Sequence, residues 1–209
     1  MGDTNVSQEL TTYDKISVFL YRGGIIISML CIVLASIGFY GIVNGNTESF
    51  VLQGNHPQII FWTFFISVGV SLLFLHLYSK EVLQIIRSFY LIGAAILLYL
   101  AFTKLSGQFI PGVFTYWLGV VGLGFLMAGF SGIGAKEAYC FKLLEGYLYG
   151  MVSALLVLLH LIGVIAQITH HLKWVELTLF MIITVLVVVF TVRKLRLPLH
   201  YDIGDKTKY

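Results

Sequence analysis

The chain has 209 residues, of which 58% are hydrophobic and only 11% are charged, and its mean hydropathy is +0.92. Soluble globular domains carry about 25% charged residues, so this composition excludes an ordinary soluble protein. The net charge of +3 does not indicate a nucleic-acid partner, because the basic residues sit beside apolar runs. Membrane lipid is the partner that this composition predicts.

Apolar runs long enough to cross a bilayer occur six times along the chain. The predicted transmembrane helices cover residues 23–43, 58–78, 88–103, 113–134, 146–168 and 175–192. Pro57 suits the first turn of the second helix, and Pro111 with Gly112 predicts a turn before the fourth. The sequence therefore predicts an all-α membrane protein with six transmembrane helices in a single polytopic domain over residues 1–209.

Polar segments flank the predicted membrane domain. Residues 1–22 are polar and then amphipathic, which fits either an interfacial helix or the solvated start of the first span. Residues 193–209 form a basic tail, in which we expect Arg193, Lys194 and Arg196 to contact anionic headgroups. Pro198 stops the last helix, and residues 202–206 fit either a compact turn that docks on the loops or on a partner, or part of a flexible tail.

The distribution of Lys and Arg residues predicts the orientation. With six spans, eleven of the thirteen fall on the side of both termini, and only Lys104 and Lys173 fall on the other. Cytoplasmic loops carry such an excess, so both termini are predicted to be cytoplasmic. The three tryptophans, Trp62, Trp117 and Trp174, agree, because they lie near the outer ends of spans two, four and six, where an aromatic belt belongs.

Similar short segments recur in the two halves of the chain. The segment at Gly38 resembles that at Gly129, and the Leu-rich segment before His76 resembles that before His160. A third pair of similar segments lies at the ends of spans three and six. The members of the three pairs are separated by 91, 84 and 88 residues along the chain. These matches fit either a three-plus-three inverted repeat, as in many transporters, or chance similarity among apolar residues.

Glycine is abundant, with 21 copies. Span four contains several at close spacing, and two more form a GxxxG at the start of span five. Small residues at this spacing let helix backbones approach closely in lipid, within one chain or across a homodimer. The predicted packing positions are Gly119, Gly122, Gly124, Gly129, Gly146 and Gly150.

His160 is the strongest candidate among the ionisable residues inside the spans, where such residues are costly. It fits either a proton-relay, ligand or cofactor site, or a neutral imidazole bonded to a neighbouring helix. His76 lies at a different depth, which disfavours a haem held by both histidines. No cofactor or metal motif is present, so a bound pigment, haem or quinone stays undetermined. Glu176 is expected to be a solvated carboxylate at a helix start.

The stretch between spans four and five gathers charge and a thiol, with Lys136, Glu137, Cys140 and Glu145. If it is helical, Glu137 and Glu145 share one face with Phe141. They then form either an interfacial helix with local charge pairs or an inward-facing polar site at the base of the bundle. Cys140 is either a thiol activated by Lys136 or a small buried hydrophobe.

Two segments, GIGAKEAYCFKLLEG (132–146) and PLHYDIGDKTKY (198–209), resemble a family of six-span integral membrane proteins of unknown function from cyanobacteria and proteobacteria. The resemblance implies a multi-pass protein of a bacterial inner membrane or a thylakoid membrane, and a role for these two segments. It supplies no catalytic residues.

These features favour a non-catalytic accessory or assembly subunit of a larger membrane complex. The first alternative is a small inverted-repeat transporter with a polar site at His160 or at Glu137 and Glu145. The second alternative is a redox or lipid-modifying membrane enzyme that uses Cys140 or a bound cofactor.

Overall fold

A computed structural model describes residues 11–46, 49–76, 79–103 and 109–202. Six of its helices are long and apolar enough to cross a membrane, which confirms the six predicted spans. Residues 1–10, Lys104 and the tail from residue 203 lie outside the described residues. The described helices are α1 (Thr12–Val43), α2 (His56–Leu73), α3 (Lys80–Thr103), α4 (Phe109–Thr115), α5 (Trp117–Phe141), α6 (Leu144–Ala166) and α7 (Thr169–Leu195).

The helices alternate in direction between two ends of the bundle. At one end, here called the base, α1, α3 and α6 begin and α2, α5 and α7 end; the opposite end is the top. Ser71 near the end of α2 donates to the carbonyl oxygen of Tyr21 near the start of α1. Arg87 on α3 donates to the carbonyl oxygens of Leu72 and Leu73 at the end of α2.

The first helix begins well before the predicted span. Thr11 caps it, since its hydroxyl accepts from the Asp14 amide at 3.2 Å while the Asp14 carboxylate accepts from the Thr11 amide at 3.1 Å. The 32 residues of α1 extend about 48 Å, which exceeds the roughly 30 Å of a hydrocarbon core. Residues 12–22 therefore form the first part of the same helix that contains the first span, and they do not form a separate interfacial helix.

The region before span four differs from the prediction. Residues predicted as a loop and as the start of the span form the short helix α4, with Pro111 in its first turns. Tyr116 then has extended backbone, and the long helix begins at Trp117. The apolar character of both helices hid the break between them, because hydropathy does not report backbone direction. The start of span three also moves, since α3 begins at Lys80.

Glycines fix the spacing around α5, the central helix. A Cβ at Gly146 on α6 would overlap the carbonyl group of Gly134, and one at Gly150 would lie 3.2 Å from the Cβ of Ser131. A Cβ at Gly124 would lie 2.9 Å from a side-chain carbon of Val157 on α6. Backbone approach of this kind replaces the hydrophobic driving force that is lacking between helices in lipid. The other predicted packing glycines face elsewhere: Gly119 meets Val113 of α4, Gly122 meets Ile96 of α3, and Gly129 meets Tyr90 of α3.

The two halves of the chain are not packed alike. In the second half α6 packs along α7, whereas in the first half α2 makes little contact with α3. Helix α3 instead packs along α5, and α1 packs along α7. The inverted repeat therefore stays a prediction from the sequence.

Candidate functional site: a buried ion cluster at the base

The Glu137 carboxylate lies at the centre of a charged cluster inside the base. Its side chain is fully buried, with 0% exposure. Oε1 accepts a hydrogen bond from the Tyr21 hydroxyl at 2.6 Å and another from Lys136 Nζ at 2.8 Å. Oε2 accepts from Lys194 Nζ. This carboxylate thus ties α1, α5 and α7 together at one point.

The C-terminal segment closes the same cluster. After α7 ends, Leu199–Asp202 forms a 3-10 turn that returns Asp202 to the bundle. Asp202 Oδ2 accepts from Arg22 Nε at 2.6 Å, and Oδ1 accepts from Lys194 Nζ. The two terminal nitrogens of Arg22 donate to the carbonyl oxygens of Leu197 and Pro198 at 2.8 and 3.0 Å. The beginning of the tail is therefore fixed to the start of α1.

Three cations in this cluster face two carboxylates. Two aromatic rings lie against the lysines: Lys194 Nζ is 4.4 Å from the centre of the Phe141 ring, and Lys136 Nζ is 5.5 Å from that of Tyr21. A ring face attracts a cation most strongly where water is excluded. The rings therefore stabilise the positive charge that the carboxylates leave unbalanced.

Each cluster residue reaches the site because of where its helix begins or ends. Tyr21 lies nine residues after the start of α1, which places it about 14 Å along the helix. Glu137 and Lys194 each lie in the last two turns of their helices. Since α5 and α7 run toward the base and α1 starts there, all three side chains reach the same depth.

The predicted shared face of Glu137, Phe141 and Glu145 does not form. Helix α5 ends at Phe141, and Lys142 takes a left-handed conformation with φ of 55° that turns the chain into α6. Glu145 then lies at the start of α6 and pairs with Arg193 of α7, whose side chain is 48% exposed. Two adjacent carboxylate sites result, one deeply buried and one at the bundle surface.

Lys136 and Cys140 do not face the same surroundings. Lys136 is buried and directed at Glu137, whereas Cys140 lies on the exposed side of α5. Cys140 is therefore an accessible thiol at the base, and the other cysteine, Cys31, is buried in α1.

His160 lies near the top, between three helices. Its Nε2 is 2.9 Å from the carbonyl oxygen of Phe114 on α4, and its Nδ1 is 3.1 Å from Oε1 of Glu176 on α7. The predicted solvated role of Glu176 is wrong, because this residue is only 4% exposed. Glu176 lies two turns into α7, which begins at Thr169, and its carboxylate contacts His160 of α6. It is therefore removed from water, although its sequence position suggested a helix start in solvent.

Several residues of these sites were missed by the sequence reasoning. Tyr21 and Arg22 were placed in a peripheral segment, and Lys194 was expected among headgroups although it is 1% exposed. A usable signal existed in the charge balance. The predicted cytoplasmic side has eleven cations and eight carboxylates, and a carboxylate next to a span, such as Glu137 or Asp202, is costly unless cations pair with it.

No group of three or more metal-binding side chains occurs within the described ranges. The two polar sites instead consist of one or two carboxylates with nitrogen donors, so their observed interactions are ion pairs and hydrogen bonds.

Residues 70–209 match the family model described as Uncharacterized integral membrane protein (DUF2301). The matched segment is two thirds of the chain. The chain belongs to this family. No curated protein and no solved structure matches it. The matched segment runs from the last residues of α2 through the tail, so it includes Glu137, Lys194, Asp202 and both members of the His160–Glu176 pair, whereas Tyr21 and Arg22 lie outside it.

Proposed function

We propose that this integral membrane protein is a non-catalytic accessory or assembly subunit of a larger membrane complex. The observation that carries the proposal is the saturation of the base cluster. All four carboxylate oxygens of Glu137 and Asp202 accept from donors of this chain. A catalytic or transporting carboxylate needs a side open to its substrate, whereas a carboxylate saturated in this way holds elements in fixed positions.

The saturated cluster supports a rigid outer surface. Residues 139–144, here called the α5–α6 corner, lie directly beside it. Tyr139 is 82% exposed and Leu144 is 61% exposed, and Cys140 and Lys142 are exposed as well. Rigid exposed aromatic and apolar side chains are typical anchors in protein interfaces, because little conformational entropy is lost when they bind. The corner is the surface that we propose for the partner complex.

The proposed orientation places this corner in the cytoplasm. Cationic residues concentrate at the base, and the excess of Lys and Arg predicts that this end is cytoplasmic. Trp117 begins α5 and Trp174 lies in the second turn of α7, both at the top, where an outer aromatic belt would lie. The proposed location, from the resemblance, is a bacterial inner membrane or a thylakoid membrane.

The test is gentle extraction from the native membrane, followed by native-gel sizing and mass spectrometry. We expect stoichiometric co-migration with a larger complex. Cys140 then allows a direct check of the surface, because a thiol-linked photo-crosslinker attaches there without a new mutation while Cys31 stays buried. Migration only as a monomer or homodimer in mild detergent would contradict the proposal.

Two equally exposed aromatic residues provide matched variants for this test. Tyr139 at the corner and Phe102 near the top of α3 are both 82% exposed. We expect Tyr139→Ala to release the partner complex and Phe102→Ala to retain it. Equal retention by both variants would place the contact elsewhere and would overturn the assignment of the corner.

A small transporter is the second candidate, and the His160–Glu176 pair favours it because it is a polar site inside the bundle. This candidate requires a water-filled path that reaches the pair. Cysteine substitutions along the exposed and buried faces of α6 around His160, labelled with a membrane-impermeant thiol reagent, measure such access. Labelling of the buried positions would favour transport over the subunit role.

A further inference from the structure

Both ring nitrogens of His160 face hydrogen-bond acceptors. Nε2 lies 2.9 Å from the carbonyl oxygen of Phe114, and Nδ1 lies 3.1 Å from a carboxylate oxygen of Glu176. A backbone carbonyl can only accept, so Nε2 carries a hydrogen. The protonation of the whole pair then depends on the contact between Nδ1 and Glu176.

With a hydrogen on Nε2, only two protonation states of the pair give a hydrogen bond between Nδ1 of His160 and Glu176. In the first, His160 is an imidazolium and donates from Nδ1 to an ionised Glu176. In the second, a neutral His160 accepts at Nδ1 from a protonated Glu176. Both arrangements hold one proton more than a neutral imidazole beside an ionised carboxylate, and both give the pair a net charge of zero. The contacts therefore require a bound proton, wherever it resides between the two residues.

The surroundings favour this proton, because no other cation forms an ion pair with the carboxylate in the part of the chain that the structure describes. The side chain of Glu176 is 6% exposed and that of His160 is 20% exposed. Helix α4 contributes no titratable side chain, and α6 has no other within ten residues of His160. The remaining titratable residues near the start of α7 are His170, His171 and Lys173, and none of them contacts the pair among the described hydrogen bonds and ion pairs.

We propose that His160 and Glu176 form a proton-binding site at the top of the bundle, and that its proton holds α4 against α6 and α7. When the proton is lost, the imidazole has one hydrogen left for two acceptors. Nδ1 keeps it, because the ionised carboxylate of Glu176 is a stronger acceptor than a backbone carbonyl, and the hydrogen bond from Nε2 to Phe114 is lost. The site therefore adds a contact between α4 and α6 when it is protonated and loses that contact as the pH rises, which loosens α4 on its remaining contacts with α5.

The first experiment observes the proton directly. The protein is labelled with ¹⁵N-histidine in lipid nanodiscs, and His160→Gln assigns one of the six histidines. At pH 7 we expect one of two results: both ring nitrogens of His160 protonated, or an Nε2–H tautomer together with an infrared band of a protonated carboxyl group that disappears in Glu176→Gln. A neutral His160 without that band would overturn the proposal.

Glu176→Gln is the matched variant, because a glutamine amide can donate to Nδ1 while a neutral His160 still donates to Phe114. This variant keeps both contacts without the extra proton. We expect it to bind about one proton fewer per chain at pH 7 than the native protein, relative to each protein at alkaline pH. Equal proton uptake by the two proteins would contradict the assignment.

The second experiment measures the release of α4. Val113 on α4 is fully buried, so Val113→Cys in a Cys140→Ser background is labelled only when α4 separates from the bundle. Because the thiolate is the reactive form of cysteine, each labelling rate is divided by that of free cysteine at the same pH. We expect this corrected rate at position 113 to rise at alkaline pH in the native pair and to stay constant in Glu176→Gln. Labelling of the buried Cys31 reports global unfolding in the same sample. A pH dependence shared by both proteins, or absent from both, would show that the pair does not control α4.

Discussion

The two polar sites of this bundle satisfy buried charge in different ways. At the base, Arg22, Lys136 and Lys194 surround the carboxylates of Glu137 and Asp202, and each carboxylate oxygen has a donor. At the top, the single carboxylate of Glu176 meets one imidazole. The base thus depends on several fixed charges from distant parts of the chain, whereas the top depends on one exchangeable proton.

This difference has a consequence for substitution. An amide can replace Glu176, because His160 can change its tautomer and still use both ring nitrogens. An amide cannot replace Glu137 in the same way, since lysine ammonium groups only donate and an amide carries no negative charge to pair with them. The base is therefore sensitive to the loss of a single negative charge, and the top is tolerant of the same chemical change.

The largest difference in stability between the two sites is expected when the same Glu→Gln substitution is made at each of them separately. Glu137→Gln removes the one carboxylate that pairs with Lys136 among the described ion pairs and leaves Lys194 with Asp202 alone, and the loss of one partner from a buried ion pair costs about 3–5 kcal/mol. Glu176→Gln keeps its hydrogen bonds and is expected to cost less than about 1.5 kcal/mol. The measurement is the free energy of unfolding in detergent. Unfolding is monitored by the labelling of the buried Cys31 in a Cys140→Ser background.

Glu145→Gln is the control for a carboxylate at the base. Its partner Arg193 is half exposed, and exposed ion pairs contribute about 0–1 kcal/mol. If Glu137→Gln costs no more than Glu145→Gln, the base cluster does not hold the helices together, and the contrast between base and top fails.

A second pair of variants compares the two ends of α6. A methyl group at Gly146 near the base would overlap the backbone of Gly134, which cannot move without shifting α5. A methyl group at Gly163 near the top would lie 3.2 Å from side-chain carbons of Thr169 and Leu172, which can adjust. We expect Gly146→Ala to destabilise by about 3 kcal/mol and Gly163→Ala to be nearly neutral, because alanine also favours the helix.

Thermal unfolding in detergent micelles measures both glycine variants. Gly23→Ala serves as the reference for helix propensity alone, since a methyl group there meets nothing within 4 Å. A similar melting temperature for the Gly146 and Gly163 variants would indicate that α5 and α6 are not held at backbone contact near the base.

The smallest effect is expected at the two residues that follow α5 and α6 and have a left-handed backbone conformation. Lys142 ends α5 at the base with φ of 55°, and Gln167 ends α6 at the top with φ of 59°. Glycine adopts this conformation without steric cost, so Lys142→Gly and Gln167→Gly should each stabilise by about 0.5–1 kcal/mol. Destabilisation by Lys142→Gly alone, again by thermal unfolding, would show that the lysine side chain contributes at the corner.

The residue patterns of the sequence were sufficient to predict the local features of the fold. Six apolar runs predicted six helices, and Pro57 marked the first turn of α2. The prediction was wrong where a local pattern had two structural solutions. The apolar residues around Tyr116 fit one long span, yet the backbone turns there, and the residues from Glu137 to Glu145 fit one helix, yet the chain turns at Lys142. Periodicity reports which faces are apolar and does not report where the backbone changes direction.

The sequence by itself determined that this protein is a helical, multi-pass membrane protein, because bilayer thickness and backbone hydrogen bonding impose length and composition on each span. It also identified His160 as unusual, because ionisable groups inside spans are costly, and Glu137, because charge and a thiol gather in the stretch between spans four and five. Only the tertiary structure decided their partners. Tyr21 and Lys194 are distant from Glu137 in the sequence and contact it because the helix directions place them at one depth, and the return of the tail brings Asp202 to Lys194 in the same cluster. Such pairing is a property of helix packing, which no local segment encodes.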